Sequence, residues 1–166
     1  MDLSLIFTQL GLSPRIAQDA ILFLVVALIS FVFGMAVGRF KLITVLVNIY
    51  VSVAILSVVP KELFSDYFYR LALFFGIIIL LTVLGKKMFE MPLSGSGKGF
   101  LWRVFAMSFL EVMLMLSVTL AFVPKKIALG YVSSNAYSYF VSENFAFFWM
   151  LIPLVFMFMI HKKILK

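Results

Sequence analysis

Cysteine is absent from this 166-residue sequence, histidine occurs once, and only 7 residues are acidic. The first absence excludes disulfides, thiolate metal centres and cysteine nucleophiles. The single histidine, His161, stands beside Lys162 and Lys163 with no neighbouring carboxylate, so it does not read as a metal site. Charge is scarce as a whole: charged residues make up 13% of the chain, against about 25% in an ordinary soluble domain. With 64% hydrophobic residues, a water-soluble fold would have too little polar surface. Groups for catalysis are missing as well. No base is paired with a nucleophile, no two carboxylates form a pair, and no zinc motif occurs. Neither enzyme activity nor a cofactor nor a bound metal is expected.

What the sequence has instead is apolar length. Five runs have their cores at Ala20–Val37, Leu42–Val59, Leu71–Leu84, Phe105–Val123 and Phe145–Ile160. A helix crossing a bilayer needs roughly 20 mainly apolar residues at 1.5 Å each. The first, second and fourth runs meet that need with little help. The third and fifth are shorter and are expected to borrow flanking aromatic or snorkelling residues. The expected fold is therefore an all-α integral membrane bundle of five transmembrane helices, at about residues 20–38, 42–59, 70–85, 102–123 and 145–161. The connections leave no room for a separate aqueous module, so residues 20–166 read as one membrane domain.

Residues 1–19 read as an interfacial segment on the outer leaflet, broken at Gly11–Leu12–Ser13–Pro14, where Ser13 and Pro14 suit a helix start. They do not read as a cleaved signal. Asp2, Arg15 and Asp19 make the stretch net negative, and the apolar run that follows is too long for a signal core. Residues 60–70 and 124–144, rich in Tyr and Phe, are expected to lie at the outer interface, the second of them as a short interfacial or re-entrant segment.

Net charge is +7. The basic residues flank spans rather than form an aromatic-basic stripe, so the expected partners are the bilayer and anionic headgroups, not nucleic acid. Their distribution also sets orientation. Arg39, Lys41, Lys86, Lys87, Lys98, Arg103, Lys162, Lys163 and Lys166 fall on one side. Arg15, Lys61, Arg70, Lys125 and Lys126 fall on the other, where most of the acidic residues also lie. The positive-inside rule then puts the amino terminus outside and the carboxyl terminus in the cytoplasm. No internal repeat supports an inverted-repeat transporter.

Three groups of residues stand out. Ser30, Gly34 and Gly38 recur every four positions along the first span, a spacing that lines one helix face with small residues. They are candidates for helix packing, within the bundle or between subunits. Glu111 is the only carboxylate inside a span. A charge at that depth costs about 2.5–3.5 kcal/mol, so the residue must face protein or water or carry a proton. It is a candidate proton, cation or substrate site, or a structural hydrogen-bonding group, with Asn48 of the second span as its expected polar neighbour. Arg103 is two helical turns away, about 12 Å, too far for a direct pair. Gly95, Gly97 and Gly99 mark a cytoplasmic hinge. The stretch around them fails as a phosphate-binding loop, because Pro92 replaces the first glycine and Gly99 follows Lys98.

This layout resembles the colicin V production protein family. Asp19–Ala20–Ile21 opens an apolar helix ending in a glycine-and-basic turn, Gly34 to Lys41. A third helix leads to the glycine-rich turn Gly95–Gly99, and Ser133–Tyr139 is similar to the serine-and-tyrosine stretch after the last long helix of such proteins. The resemblance covers roughly residues 19–140. Departures are the amino-terminal extension, the very apolar fifth span, and Gly38–Arg39 in place of an Arg-Gly pair. The resemblance implies a multi-pass protein of the bacterial inner membrane, non-enzymatic and tied to peptide or toxin export or envelope maintenance. With the Gly34 and Gly38 face, the leading expectation is a homo-oligomerising scaffold or export-associated component of that type, and the 20 Phe and 10 Met leave apolar surface for other membrane proteins. The residues themselves also support an alternative, a small transporter or channel subunit built on Glu111 and Asn48.

Overall fold

A computed structural model describes residues 14–38, 41–60, 66–85 and 100–162. Among these residues every regular element is a helix: α1 (Pro14–Val37), α2 (Leu42–Val58), α3 (Tyr67–Leu84), α4 (Phe100–Phe122), α5 (Lys125–Ala128), α6 (Ser134–Val141) and α7 (Glu143–Lys162). Four helices are long and apolar enough to cross a membrane, through Asp19–Val37, Tyr67–Leu84, Leu101–Phe122 and Glu143–Ile160. That is the make-up of a multi-pass membrane protein.

Long apolar runs continue as helix until a special residue stops them, and each boundary here has such a cause. α1 ends because Gly38 adopts φ +71, a left-handed conformation that costs glycine little. The Gly38 amide then donates to the Gly34 carbonyl at 3.0 Å, the usual closure of a helix end. α2 ends at Val58 because Val59, which precedes Pro60, is held extended at φ −66, ψ 126. α3 starts where the Asp66 carboxylate accepts from the Phe68 amide at 3.2 Å. α6 starts where Ser133 Oγ accepts from the Ala136 amide at 3.0 Å.

These stops change the relative lengths expected of the runs. α2 is held between the Gly38 turn and Pro60 and has 17 residues, about 25 Å, so the second run does not reach full span length unaided. The third and fifth do, by recruiting Tyr67 to Arg70 and Glu143 with Asn144 into their helices. α1 starts at Pro14, and its membrane-length stretch starts at Asp19. The rest of the 1–19 segment lies outside the described residues.

α4 is the central helix and packs against α1, α2, α3, α6 and α7. Of its membrane-length stretch 44% is buried, against 11–17% for the other three. Its two inward stripes feed two apolar clusters. Met107, Leu114 and Val118 meet Leu42, Leu46 and Ile49 of α2, Phe74 and Ile78 of α3, and Ile160 of α7. Met113 and Leu120 meet Val26 of α1 and Ala128, Val132, Ala136 and Phe140 around α5 and α6. One face of the 124–144 stretch is thus packed on α4 and α1, while Tyr131 and Tyr139 stay exposed. Ser117 Oγ on α4 donates to the Phe140 carbonyl at 2.6 Å, and the Ser133 hydroxyl donates to Asp19 of α1. Without a hydrophobic drive between helices in lipid, such bonds and close packing hold a bundle together.

Candidate functional site

Glu111 lies at the midpoint of α4. It shares a stripe with Met107, Leu114 and Val118, since helical positions three and four apart fall on one face. That stripe is the one built into the apolar cluster of α2, α3 and α7. The carboxylate is therefore placed among hydrocarbon by the same periodicity that makes α4 central. Glu111 is 0% exposed, and neither of its carboxylate oxygens has a hydrogen-bond partner. Buried polar groups nearly always find partners, so two orphaned oxygens on one side chain call for an explanation.

Tyr50 is the midpoint of α2 and packs half-buried against the same cluster. Its hydroxyl donates to the main-chain carbonyl of Met150 on α7. The local reason is Pro153, which lies inside α7 and is fully buried. Proline has no amide hydrogen and its ring crowds the preceding turn, which leaves the Trp149 carbonyl without its usual donor. Neighbouring side chains commonly donate to such turns inside membranes. Here Tyr50 donates into that turn, to the next carbonyl, Met150.

Asn48 does not accompany Glu111. Its amide donates to Thr82 Oγ1 of α3 at 3.0 Å, beside a second α2–α3 bond from Ser52 Oγ to the Phe74 carbonyl at 2.9 Å. The expectation that Asn48 serves the carboxylate fails because α3 packs closely on that face of α2 and offers a hydroxyl there. A double-mutant cycle on Asn48→Ala and Thr82→Ala is expected to give a coupling of about 0.6 kcal/mol, at most about 1.7. Denaturant unfolding of the four proteins in bilayer discs measures it.

The small residues of α1 divide. Ser30 is fully buried, and its hydroxyl returns to the Val26 carbonyl at 2.6 Å, so it presents little bulk. Gly34 lies against Ser108 of α4, where an added Cβ would come within 2.4 Å of Ser108 Oγ. Gly38 is not a packing residue: a Cβ there would meet nothing within 4 Å, and its part is the turn that ends α1. The three-residue stripe breaks at its last member because the helix has already stopped. Gly95, Gly97 and Gly99 lie outside the described residues. Among the described residues no three His, Cys, Asp or Glu side chains gather as a metal would require.

Sequence reasoning missed Tyr50, Thr82, Ser108 and Pro153. Two of these carried a signal. A tyrosine in mid-span is displaced from the interfaces where it is usually found, and a proline inside an apolar run marks carbonyls in need of a donor. Thr82 and Ser108 carried none, since their roles come from the partner helix. Comparison with protein-family models, curated proteins and solved structures gives no match.

Proposed function

We propose that this chain is a small transporter or channel subunit in which Glu111 takes up and releases a proton within the membrane. The observation that carries the reading is the pair of unpartnered carboxylate oxygens at the centre of the central helix. A structural carboxylate would be hydrogen-bonded. An unpartnered one is costly at this depth, and such residues mark ion paths and proton relays. The proton suits the site better than a metal cation, which takes several oxygen ligands. No cluster of acidic side chains gathers among the described residues to provide them.

In this reading α2 completes a bundle of five spans, its length set by the Gly38 turn and Pro60. The amino terminus is outside and the carboxyl terminus cytoplasmic, following the basic residues. The resemblance to colicin V production proteins supports the bacterial inner membrane as the location. A scaffold assembling through Gly34 and Gly38 is less favoured, since Gly34 packs on Ser108 of its own chain and Gly38 forms a turn.

The test is infrared difference spectroscopy of the protein in bilayers on changing pH. A carboxyl band that appears on acidification and is missing in Glu111→Gln is expected. Proton flux into vesicles should fall in the same variant to the level of empty vesicles. A wild-type spectrum with no band assignable to Glu111 would remove the basis of the proposal.

A further inference from the structure

We propose that Tyr50 is a positioning residue that couples the proton on Glu111 to the contact of α2 with α7 beside Pro153. Its hydroxyl donates to the Met150 carbonyl while Glu111 is protonated and turns to the carboxylate when the proton leaves. The inference rests on the reading of Glu111 as a proton site and adds the element that the proton moves.

An ionised carboxylate in hydrocarbon needs a donor, and few donors near it are free to turn. Ser108 and Ser117 of α4 both donate to main-chain carbonyls, Ser108 to Val104 one turn back at 2.8 Å and Ser117 to Phe140. Asn48 donates to Thr82. Tyr50 differs in two respects. Its donor is at the end of a long side chain that packs on the cluster formed by the Met107, Leu114 and Val118 stripe in which Glu111 stands. Its present acceptor, the Met150 carbonyl, is three residues before the buried Pro153 of α7.

The other ionisable groups on helices packed against α4 stand near helix ends or at the α6 end of the bundle. They are Arg15 and Asp19 on α1; Tyr67, Tyr69 and Arg70 on α3; Tyr137 and Tyr139 on α6; and Glu143, His161 and Lys162 on α7. Arg103 is in the first turn of α4 itself. None is at the level of Glu111.

The consequence is mechanical. With Tyr50 bonded to Met150, α2 grips α7 at the proline. When Tyr50 turns to Glu111 that grip is lost, and the segment of α7 beyond Pro153 is free to swing. Only a proton is exchanged, from the Glu111 carboxyl to water, and the phenol keeps its own.

Because the chain has no cysteine, a pair introduced as Leu101→Cys and Met159→Cys can carry spin labels without background. Both positions are exposed, one on α4 and one on α7 beyond the proline. Electron–electron distance measurements in bilayers at acid and alkaline pH are expected to show two distances in the otherwise native protein. In Tyr50→Phe the pH-dependent change is expected to be lost, while the Glu111 carboxyl band still titrates. Pro153→Ala, which restores the amide donor to the Trp149 carbonyl and so stiffens α7, is a second route to the same loss and serves if Tyr50→Phe does not fold. A distance change that survives Tyr50→Phe, or a titrating band with no distance change in the native background, overturns the coupling. Loss of the band itself in Tyr50→Phe puts Tyr50 in the proton path and also overturns it. Absence of the band from the native protein instead overturns the Glu111 reading on which the inference rests.

Discussion

Glu111→Leu is expected to make the folded bundle more stable, by about 2–3 kcal/mol, while removing the carboxyl band and any proton flux. Leucine has a volume close to that of glutamate and matches the Met107, Leu114 and Val118 stripe in which Glu111 stands. It removes two buried oxygens that have no partner, so no hydrogen bond is lost in exchange. A carboxylate serving structure would behave in the opposite way, since deleting one member of a buried polar pair leaves the other unsatisfied and lowers stability. Glu111→Gln separates charge from shape: it keeps the volume, still buries polar atoms, and is expected to gain much less. Unfolding of the three proteins in mixed micelles, followed by denaturing-detergent titration, gives the order directly. A Leu variant less stable than native would show that the carboxylate has a partner in the folded state.

Gly34→Leu is expected to produce the largest loss of stability of any single change in α1. Even one carbon is too many there. A Cβ at position 34 would be 2.4 Å from Ser108 Oγ, 3.2 Å from Ser108 Cβ and 3.6 Å from Val104 Cγ1. The Ser108 hydroxyl can rotate away from the new atom, but its Cβ cannot move without α4. Gly34→Ala is therefore expected to cost about 1–3 kcal/mol, the usual range for overpacking, and leucine more. The diagnostic result is the rescue. Ser108→Gly in the Gly34→Ala background is expected to restore most of the loss, as coupled neighbours do. If Gly34 instead met a second copy, Ser108→Gly would not rescue, and the particle would fall in mass on substitution while each chain stayed folded.

These two positions also show how far the amino acids alone can be read. Glu111 is conspicuous in the sequence because every other acidic residue lies outside the apolar runs. Its neighbours were not legible. Asn48 was the nearest polar candidate by type, but its partner depends on which face of α2 meets α3, and hydropathy is too uniform along a membrane helix to mark a face. The four-residue spacing from Ser30 to Gly38 looked like one contact stripe, yet Gly38 left it by taking a positive φ. Glycine is used both for close approach and for left-handed turns, and spacing does not distinguish these uses. The exact ends of the runs depend on single residues. Pro60 ends α2 through the residue before it, and Asp66 caps α3 upstream of its apolar core, so that Tyr67, Phe68 and Tyr69 join the helix.

Composition and pattern alone determined that the chain is helical, built of apolar runs on the scale of a bilayer, and that one carboxylate is out of place among them. These follow from one-dimensional quantities: transfer free energy summed along a run, and the rise of a helix per residue. The tertiary structure alone decided that α4 is central, that Glu111 has no partner, and that Tyr50 reaches across to α7 at Pro153. Those depend on which faces of five similar helices meet. In an apolar medium that choice is made by shape and a few hydrogen bonds, which the order of residues along the chain does not display.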